Sequence, residues 1–307
     1  MSETARDGCR RKPLVSIAMP VYNCAHTLPA AIRSILNQTL NDWELLIIDD
    51  GSTDCTAEVA RTFSDRRIRL LDDGSHLGLA ERLNQAIALS QGTFLARMDG
   101  DDISYPQRLE LQVAFLREHP EVDLLGGAIL VFADGHRVLG TRPSGLNHSE
   151  ICRRPWAGFY LAHPTWMGRI QFFREHRYRN DAIRCEDQDL LLRAHARSSF
   201  SALPEIVLGY REQRLSLSKI LLGRRSFVKC VFRESIRNGN YGTPFLAAFE
   251  QLFKGALDCV AVCTGLEYRL LRHRARPASA DVIRQWETVL DSVAWQAGVE
   301  TLRRSAH

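Results

Sequence analysis

Short apolar runs alternate with helix-spaced patterns over the first two hundred residues. Val15–Met19 is rich in β-formers and stops at Pro20. Leu28–Leu36 repeats apolar positions at helical spacing. Trp43–Ile48 is a nearly continuous apolar run that ends in Asp49-Asp50-Gly51. Such a run suits a parallel strand buried on both faces. Ser52, Thr53 and Asp54 then supply N-cap candidates for a helix over Ala57–Phe63. Ile68–Leu71 reads as a strand, Leu79–Leu89 as a helix, and Phe94–Met98, after Gly92, as a further strand. This order predicts an α/β domain with a mixed, mostly parallel central sheet and right-handed crossovers.

An amphipathic helix follows over Pro106–His119, with Leu109, Val113 and Leu116 on one face. Val122–Phe132 reads as one or two strands, and Gly140–Ser149 as a polar loop. Strand signals return at Thr165–Gly168 and Ile206–Tyr210, with a helix over Asp187–Ala196 between them. Beyond Ser216 the strand signals vanish and long, Arg-rich helical patterns take over. Three regions result: a polar tail over 1–12, the α/β domain over 13–215 and a helical region over 216–307.

Composition narrows the class. The 307 residues are 45% hydrophobic and 25% charged, as in soluble globular domains. A net charge of +4 is too small to argue for nucleic acid. Eight cysteines are scattered, with neither a CxxC pair nor zinc spacing, as befits small buried hydrophobes in a reducing compartment. Met1–Pro13 is polar and no signal-length apolar stretch follows, which predicts a cytoplasmic chain. The glycosylation-type matches at Asn37 and Asn147 are then chance.

Chemistry gathers where strands end, because ligands of open α/β sheets bind beyond the strands' carboxyl ends. The three relevant ends are Pro20-Val21-Tyr22-Asn23, Asp49-Asp50-Gly51-Ser52 and Asp99-Gly100-Asp101-Asp102. Carboxylates converging at one edge repel one another unless a cation intervenes, and hard oxygen donors suit Mg²⁺ or Mn²⁺. Asp99 and Asp101 share a face of extended backbone, and Gly100 permits a sharp turn between them. A sugar nucleotidyltransferase also combines these features, but it needs a Gly-rich basic loop after the first strand. Pro20-Val21-Tyr22-Asn23-Cys24 has neither Gly nor Lys, and no GxGxxG marks a dinucleotide site.

These segments resemble family 2 glycosyltransferases. Val15–Asn23 is similar to the family's opening strand, and Leu46–Asp54 to its second. Gly78–Asn84 and Ala96–Ile103 look like its central block, and the likeness continues through Arg108-Leu109, His119–Asp123 and Gly126. It covers roughly 13–215. The resemblance implies a GT-A fold and an inverting, metal-dependent transferase. That enzyme would move one sugar from a nucleotide-sugar donor, with uracil the usual base, to a glycan or lipid-linked acceptor hydroxyl in cell-surface polysaccharide synthesis. By the same resemblance Pro20, Val21 and Tyr22 line the base pocket and Asp50 accepts a hydrogen bond from the base. Asp49 supports its loop, and Arg82 sits near the diphosphate or base. Asp99 and Asp101 form the D-x-D metal motif, with Asp99 also at the nucleotide. A degenerate GT-A domain, binding without catalysis in an envelope-assembly complex, is the alternative that retention of these acids argues against.

The resemblance also implies a base. Asp187, in Cys185–Leu190, matches the Asp of the family's Glu-Asp motif and would deprotonate the acceptor; helix capping is its competing role. His163, Glu186 and Arg211 are assigned to acceptor binding or support of the site. Gln213 stands where the family usually has a His that meets metal or phosphate. The Gln-x-x-Arg-Trp motif of processive synthases is absent, so one sugar is expected per encounter.

In the helical region, Phe245, Phe249, Leu252, Phe253, Ala256, Leu257, Val260 and Cys263 recur at helical spacing. Glu250, Lys254 and Asp258 fall inside this stretch, and each costs about 2.5–3.5 kcal/mol at a bilayer centre, so the helix is not expected to span. Arg269, Arg272, His273, Arg274 and Arg276 follow. Two readings stand for 245–276: an interfacial helix on anionic lipid at the cytoplasmic face, or a helix packed on the catalytic domain.

Overall fold

The computed structural model describes residues 12–212, 216–239, 242–265 and 275–304. Among these residues nine strands form one sheet. Strands β1 (Val15–Val21), β2 (Trp43–Asp49), β3 (Ile68–Asp72) and β4 (Phe94–Arg97) pair in parallel in the order β3-β2-β1-β4. Every residue of β1 and β2 is buried, which explains their unbroken apolar runs. Val15, Ile17 and Met19 share a core with Leu28, Ile32 and Ile35 of α1 (Leu28–Leu36). Ala18, Leu46 and Ile48 meet Leu83 and Ile87 of α3 (Leu79–Leu89) on the other face.

The other half of the sheet is mixed. β8 (Met167–Arg169) joins β4 and β6 (Leu124–Phe132) antiparallel, and β6 pairs in parallel with β9 (Phe200–Arg211). β5 (Ile103–Ser104) closes the far edge on β9, and β7 (Val138–Arg142) flanks β6. Parallel ladders carry most of the register, as the pattern predicts.

Several boundaries differ from the sequence reading. β9 begins at Phe200, not Ile206. Its pairing skips from Leu203–Gly127 to Ile206–Ala128, so Pro204 and Glu205 form a bulge that breaks the apolar run. β7 and the short α5 (His148–Ile151) occupy the stretch read as a loop, and Asn147 caps α5 by accepting the Glu150 N–H. The helix expected over Ala57–Phe63 is α2 (Thr56–Arg61), and its N-cap is Cys55. Of the three proposed caps, only Asp54 serves, accepting the Thr56 N–H.

α4 (Arg108–Glu118) buries Leu109, Val113 and Leu116 as expected, and α6 (Ile170–Glu175) and α7 (Glu186–Ala194) follow. In the C-terminal region, α8 (Leu217–Arg237) and α9 (Thr243–Cys263) pack on one another, and Phe227, Cys230 and Val231 of α8 dock against the core beside α7. The last helix, α10 (Ala280–Arg304), returns to the α/β domain. Its Trp286, Val289 and Val293 form a third core with Ile103, Tyr105, Leu130 and Phe132. A methyl group at Gly209 would lie 2.4 Å from the Trp286 ring, so this contact requires a glycine in β9. The change of composition at 216 is therefore not a packing boundary for α10. Among the described residues, no helix is long and apolar enough to cross a membrane.

Candidate active site

β1, β2 and β4 are neighbours running the same way, so their carboxyl ends open on one edge. The pairing of β1 with β4 stops at Ala18–Arg97, while that with β2 runs on to Val21–Asp49. Pro20 faces the side that β4 has left, so its missing N–H costs no ladder bond. Beyond β4 the chain turns through Asp99-Gly100-Asp101-Asp102. A methyl at Gly100 would come within 2.8 Å of Val21 and 3.0 Å of Cys24, so the turn sits tightly on β1.

The loops after β1 and β2 are laced together. Asn23 Oδ1 accepts the Thr53 N–H, Thr56 Oγ1 accepts from Cys24 N, and Asp54 accepts from Ala25 N. The Asp49 carboxylate accepts both the N–H and the hydroxyl of Ser52, holding its own loop. Gly51 adopts φ +69°, and a side chain there would strike the Ser75 backbone at 2.9 Å.

Asp50 is buried and fully engaged. Its carboxylate accepts from Leu77 N at 2.7 Å, Gly78 N at 3.0 Å and Arg82 Nε at 2.9 Å, while His76 Nδ1 meets the Asp50 backbone carbonyl at 2.9 Å. Arg82, expected near the diphosphate or the base, has no exposed side-chain surface. Its other N–H groups go to Asp73, Gln85 and the Ser75 carbonyl. A guanidinium has five N–H groups, and all find protein acceptors here. Arg82 thus clamps the segment between β3 and α3 and stands beside Asp50, the residue assigned to the base. The same clamp holds the Asp73 carboxyl well below the usual carboxylate range.

Of the three residues expected at the base, Pro20 and Val21 are buried and Tyr22 is half exposed. The Tyr22 ring lies 4.7 Å from that of His76, forming an aromatic surface beside Asp50.

The carboxylates of Asp99, Asp101 and Asp102 each bring an oxygen within 4.8 Å of the others. Asp99 is gripped by buried Arg97, with Nη1 at 2.7 Å. Asp102 is 1% exposed; its Oδ1 accepts Arg211 N at 2.9 Å, and its Oδ2 has no partner. Burial, and then the neighbouring Asp99 and Asp101, push the Asp102 carboxyl well above its usual range. Arg211 braces the run further, donating from Nε to the Asp101 carbonyl at 3.1 Å and lying over Phe132. Three oxygen donors and one orphaned buried oxygen fit a hard divalent cation. Gln213, the other expected contributor, lies outside the described residues.

A cavity of about 1050 Å³ has a wall that includes His163, Asp187, Gln188 and Tyr210, the last of them the neighbour of Arg211 in β9. Asp187 sits in the first turn of α7, and Gln188 Nε2 donates to its Oδ2 at 3.0 Å. Asp189, two residues on, is buried and ion-paired with Arg193, Arg179 and Arg233. One helix start thus supplies a carboxylate on the cavity wall and another that fastens the helix. Glu186 accepts the Arg184 N–H at 3.1 Å, and burial raises its carboxyl. His163 Nε2 lies 2.8 Å from the Tyr178 hydroxyl, and its ring meets Trp166 edge-on. Burial, and then the Arg97 charge, hold the His163 imidazole well below its ordinary value.

The model of glycosyl transferase family 2 matches residues 16–177. The chain belongs to this family. It is 39% identical over 189 residues to EpsE of Bacillus subtilis, a match covering 59% of the chain and 66% of EpsE. It is 45% identical over 103 residues to the UDP-Glc:α-D-GlcNAc-diphosphoundecaprenol β-1,3-glucosyltransferase WfgD of Escherichia coli, covering 34% of the chain and 41% of WfgD. The chain therefore spans two thirds or less of these relatives. The fold matches the mannosyltransferase PcManGT of Pyrobaculum calidifontis, solved with GDP-Man and Mn²⁺, at a TM-score of 0.57 and 17% identity over 94% of the chain and 87% of PcManGT. S. aureus TarS 1–349 with UDP gives 0.57 and 19% identity over 71% of the chain and 65% of TarS. The family 2 chain thus has the GT-A fold.

Two residues of this family 2 site escape a reading of spacing alone. Asp102 closes the acidic cluster although D-x-D names only Asp99 and Asp101, and its signal was the unbroken run after Gly100. Arg97 grips Asp99 from inside β4, where a buried Arg in an apolar strand was the available clue.

Proposed function

We propose that the chain moves one sugar, with inversion, from a UDP-linked donor to a hydroxyl of a glycan or lipid-linked acceptor in cell-surface polysaccharide synthesis. One observation carries this reading: Asp187 lines the same cavity as Tyr210, which lies within electrostatic reach of the clustered Asp99, Asp101 and Asp102. WfgD supports it as a relative named for a UDP-glucose donor and a lipid-diphosphate acceptor. Nucleotide sugars are charged and do not cross bilayers unaided, which places the reaction on the cytoplasmic side.

The Tyr22 and His76 rings take the base between the first two loops. Asp99, Asp101 and Asp102 would hold Mg²⁺ or Mn²⁺, which when bound neutralises the departing diphosphate. Arg97 and Arg211 keep these acids in place. Asp187 removes the acceptor proton through Oδ1 as the acceptor oxygen attacks the anomeric carbon and the bond to the diphosphate breaks. Gln188 keeps Oδ2 engaged, and the neutral His163–Tyr178 pair shapes the wall facing the acceptor.

Calorimetric titration of UDP and GDP, with and without Mn²⁺, tests the donor half on wild type and Asp99→Asn. Metal-dependent UDP binding that the substitution weakens is expected. Absence of binding by either nucleotide would leave the degenerate binding module as the surviving alternative.

A further inference from the structure

Helix α9 is inside out. Its buried stripe is Pro244, Ala247, Gln251, Gly255, Asp258 and Ala261, which is small or polar. Its solvent face is apolar: Phe245 is 77% exposed, Phe249 74%, Leu252 74% and Phe253 60%, and the stripe continues through Leu257 and Val260. The hydrophobic effect normally orients an amphipathic helix the opposite way. Fixed partners hold α9 in this orientation. Asp258 is buried against Arg224, whose Nε lies 3.0 Å away, and Arg224 also reaches Gln251. Glu250 pairs with Arg154 and Lys254, and Lys254 donates to the Ala157 carbonyl at 2.9 Å. Every charged residue of α9 is thus tied to the protein, and none lies on the exposed stripe.

The neighbouring helix completes the surface. α8 exposes Leu222, Phe232 and Ile236, and interleaves them with exposed Arg225, Lys229 and Arg237. Its only acidic residue is Glu234. The α8–α9 pair therefore shows solvent a broad apolar band edged by positive charge. Isolated exposed apolar residues are ordinary, but a continuous band over about four turns marks an interaction site. The basic edge decides the occupant. A second copy would set the same cations against each other, whereas anionic lipid headgroups neutralise them while acyl chains take the Phe and Leu side chains.

We infer that the outward face of α8 and α9 seats the protein on an anionic bilayer surface, lying in the interface without crossing it. A consequence follows for the reaction and rests on the proposed transfer. Lys254 and Asp258 on the inner side of α9 line the same cavity as Asp187, and Leu257 of the outward stripe sits at its rim. The helix that meets lipid is one wall of the acceptor cavity, so an acceptor anchored in the membrane reaches Asp187 without leaving it.

Vesicle flotation of the full chain tests this, using phosphatidylcholine alone and phosphatidylcholine with phosphatidylglycerol, without any substrate. Co-flotation with the anionic vesicles at low salt is expected, weakening as salt rises. The triple variant Phe249→Ser, Leu252→Ser, Phe253→Ser changes only exposed side chains and is expected to melt as wild type does. It is expected to lose at least tenfold in vesicle partition while retaining UDP binding. Replacing Arg225, Lys229 and Arg237 by Gln is expected to erase the preference for anionic vesicles, since each basic residue near such a surface is worth about fivefold. Three results would overturn the inference: no flotation at low salt, flotation unchanged in both variants, or a wild-type dimer that the triple variant dissociates while no vesicle binds. UDP binding, read separately, reports on the proposed transfer whichever way flotation falls.

Discussion

Arg82 Nε donates to Asp50 Oδ1 at 2.9 Å, and the guanidinium making that bond is wholly enclosed. The bond ties the start of α3 to the end of β2. A buried ion pair adds little over an apolar pair of the same shape, but removing one partner strands a buried charge at about 3–5 kcal/mol. Arg82→Met is therefore expected to lower the unfolding free energy by about that amount in urea titration. Asp73→Asn, on the exposed side of the same clamp, should cost far less. An Arg82→Met protein of normal stability with only a raised donor KM would instead assign it the diphosphate role.

The base assignment is tested at Asp187. General-base help is worth about 10²–10⁴ in rate. Asp187→Asn keeps the shape and the Gln188 contact but not the basicity. Turnover is expected to drop by at least about 100-fold, while UDP affinity in calorimetry stays within error. Undiminished turnover would mean that the carboxylate serves only the helix start.

The acidic cluster makes a separate claim. Asp102 Oδ2 is buried without a hydrogen-bond partner, an expensive arrangement unless a cation meets it. Asp102→Asn is expected to weaken Mn²⁺-dependent UDP binding by about tenfold or more, and the metal-free protein should melt no lower than wild type. Chelation with EDTA is expected to abolish turnover, and added Mn²⁺ or Mg²⁺ to restore it. Wild-type metal response in Asp102→Asn would confine the site to Asp99 and Asp101.

How far these features were legible depends on whether the signal is local. The parallel half of the sheet was, because strands buried on both faces write themselves as unbroken apolar runs, as in Trp43–Asp49. Helices α1 and α3 were legible to the residue. β5 was not, since two residues carry no periodicity, and the start of β9 was hidden by Pro204 and Glu205 in its bulge. The acidic residues at the strand ends stood out in sequence, but their partners did not. Nothing near Arg82 shows that Asp50, Asp73, Gln85 and Ser75 would consume every N–H it has. The spacing in α9 shows an apolar stripe without saying which way it faces. That depends on Arg224 and Arg154, distant in sequence, which draw its charges inward.

His163 gives a pH dependence whose sign follows from its burial. Its folded-state value is depressed, first by loss of solvent and then by the Arg97 charge. An unfolded chain binds a proton there near pH 6.5, whereas the folded protein does not. Between the depressed value and about 6.5 the unfolded state holds more protons, so stability rises with pH through that window and is lost as pH falls. The slope from one such group is at most about 1.4 kcal/mol per pH unit. Glu186, raised by burial, works in the opposite direction at lower pH, so the comparison must isolate the imidazole. Urea titrations at pH 7.5, 6.5 and 5.5 on wild type and His163→Asn achieve this. The difference between the two is expected to be constant above pH 7 and to shift toward the variant as pH drops below 6.5. The constant part reports the lost contact with Tyr178, and the sloping part reports the buried neutral imidazole. Parallel curves across all three pH values would show that His163 titrates alike in both states, and would remove the neutral His163–Tyr178 wall from the acceptor cavity.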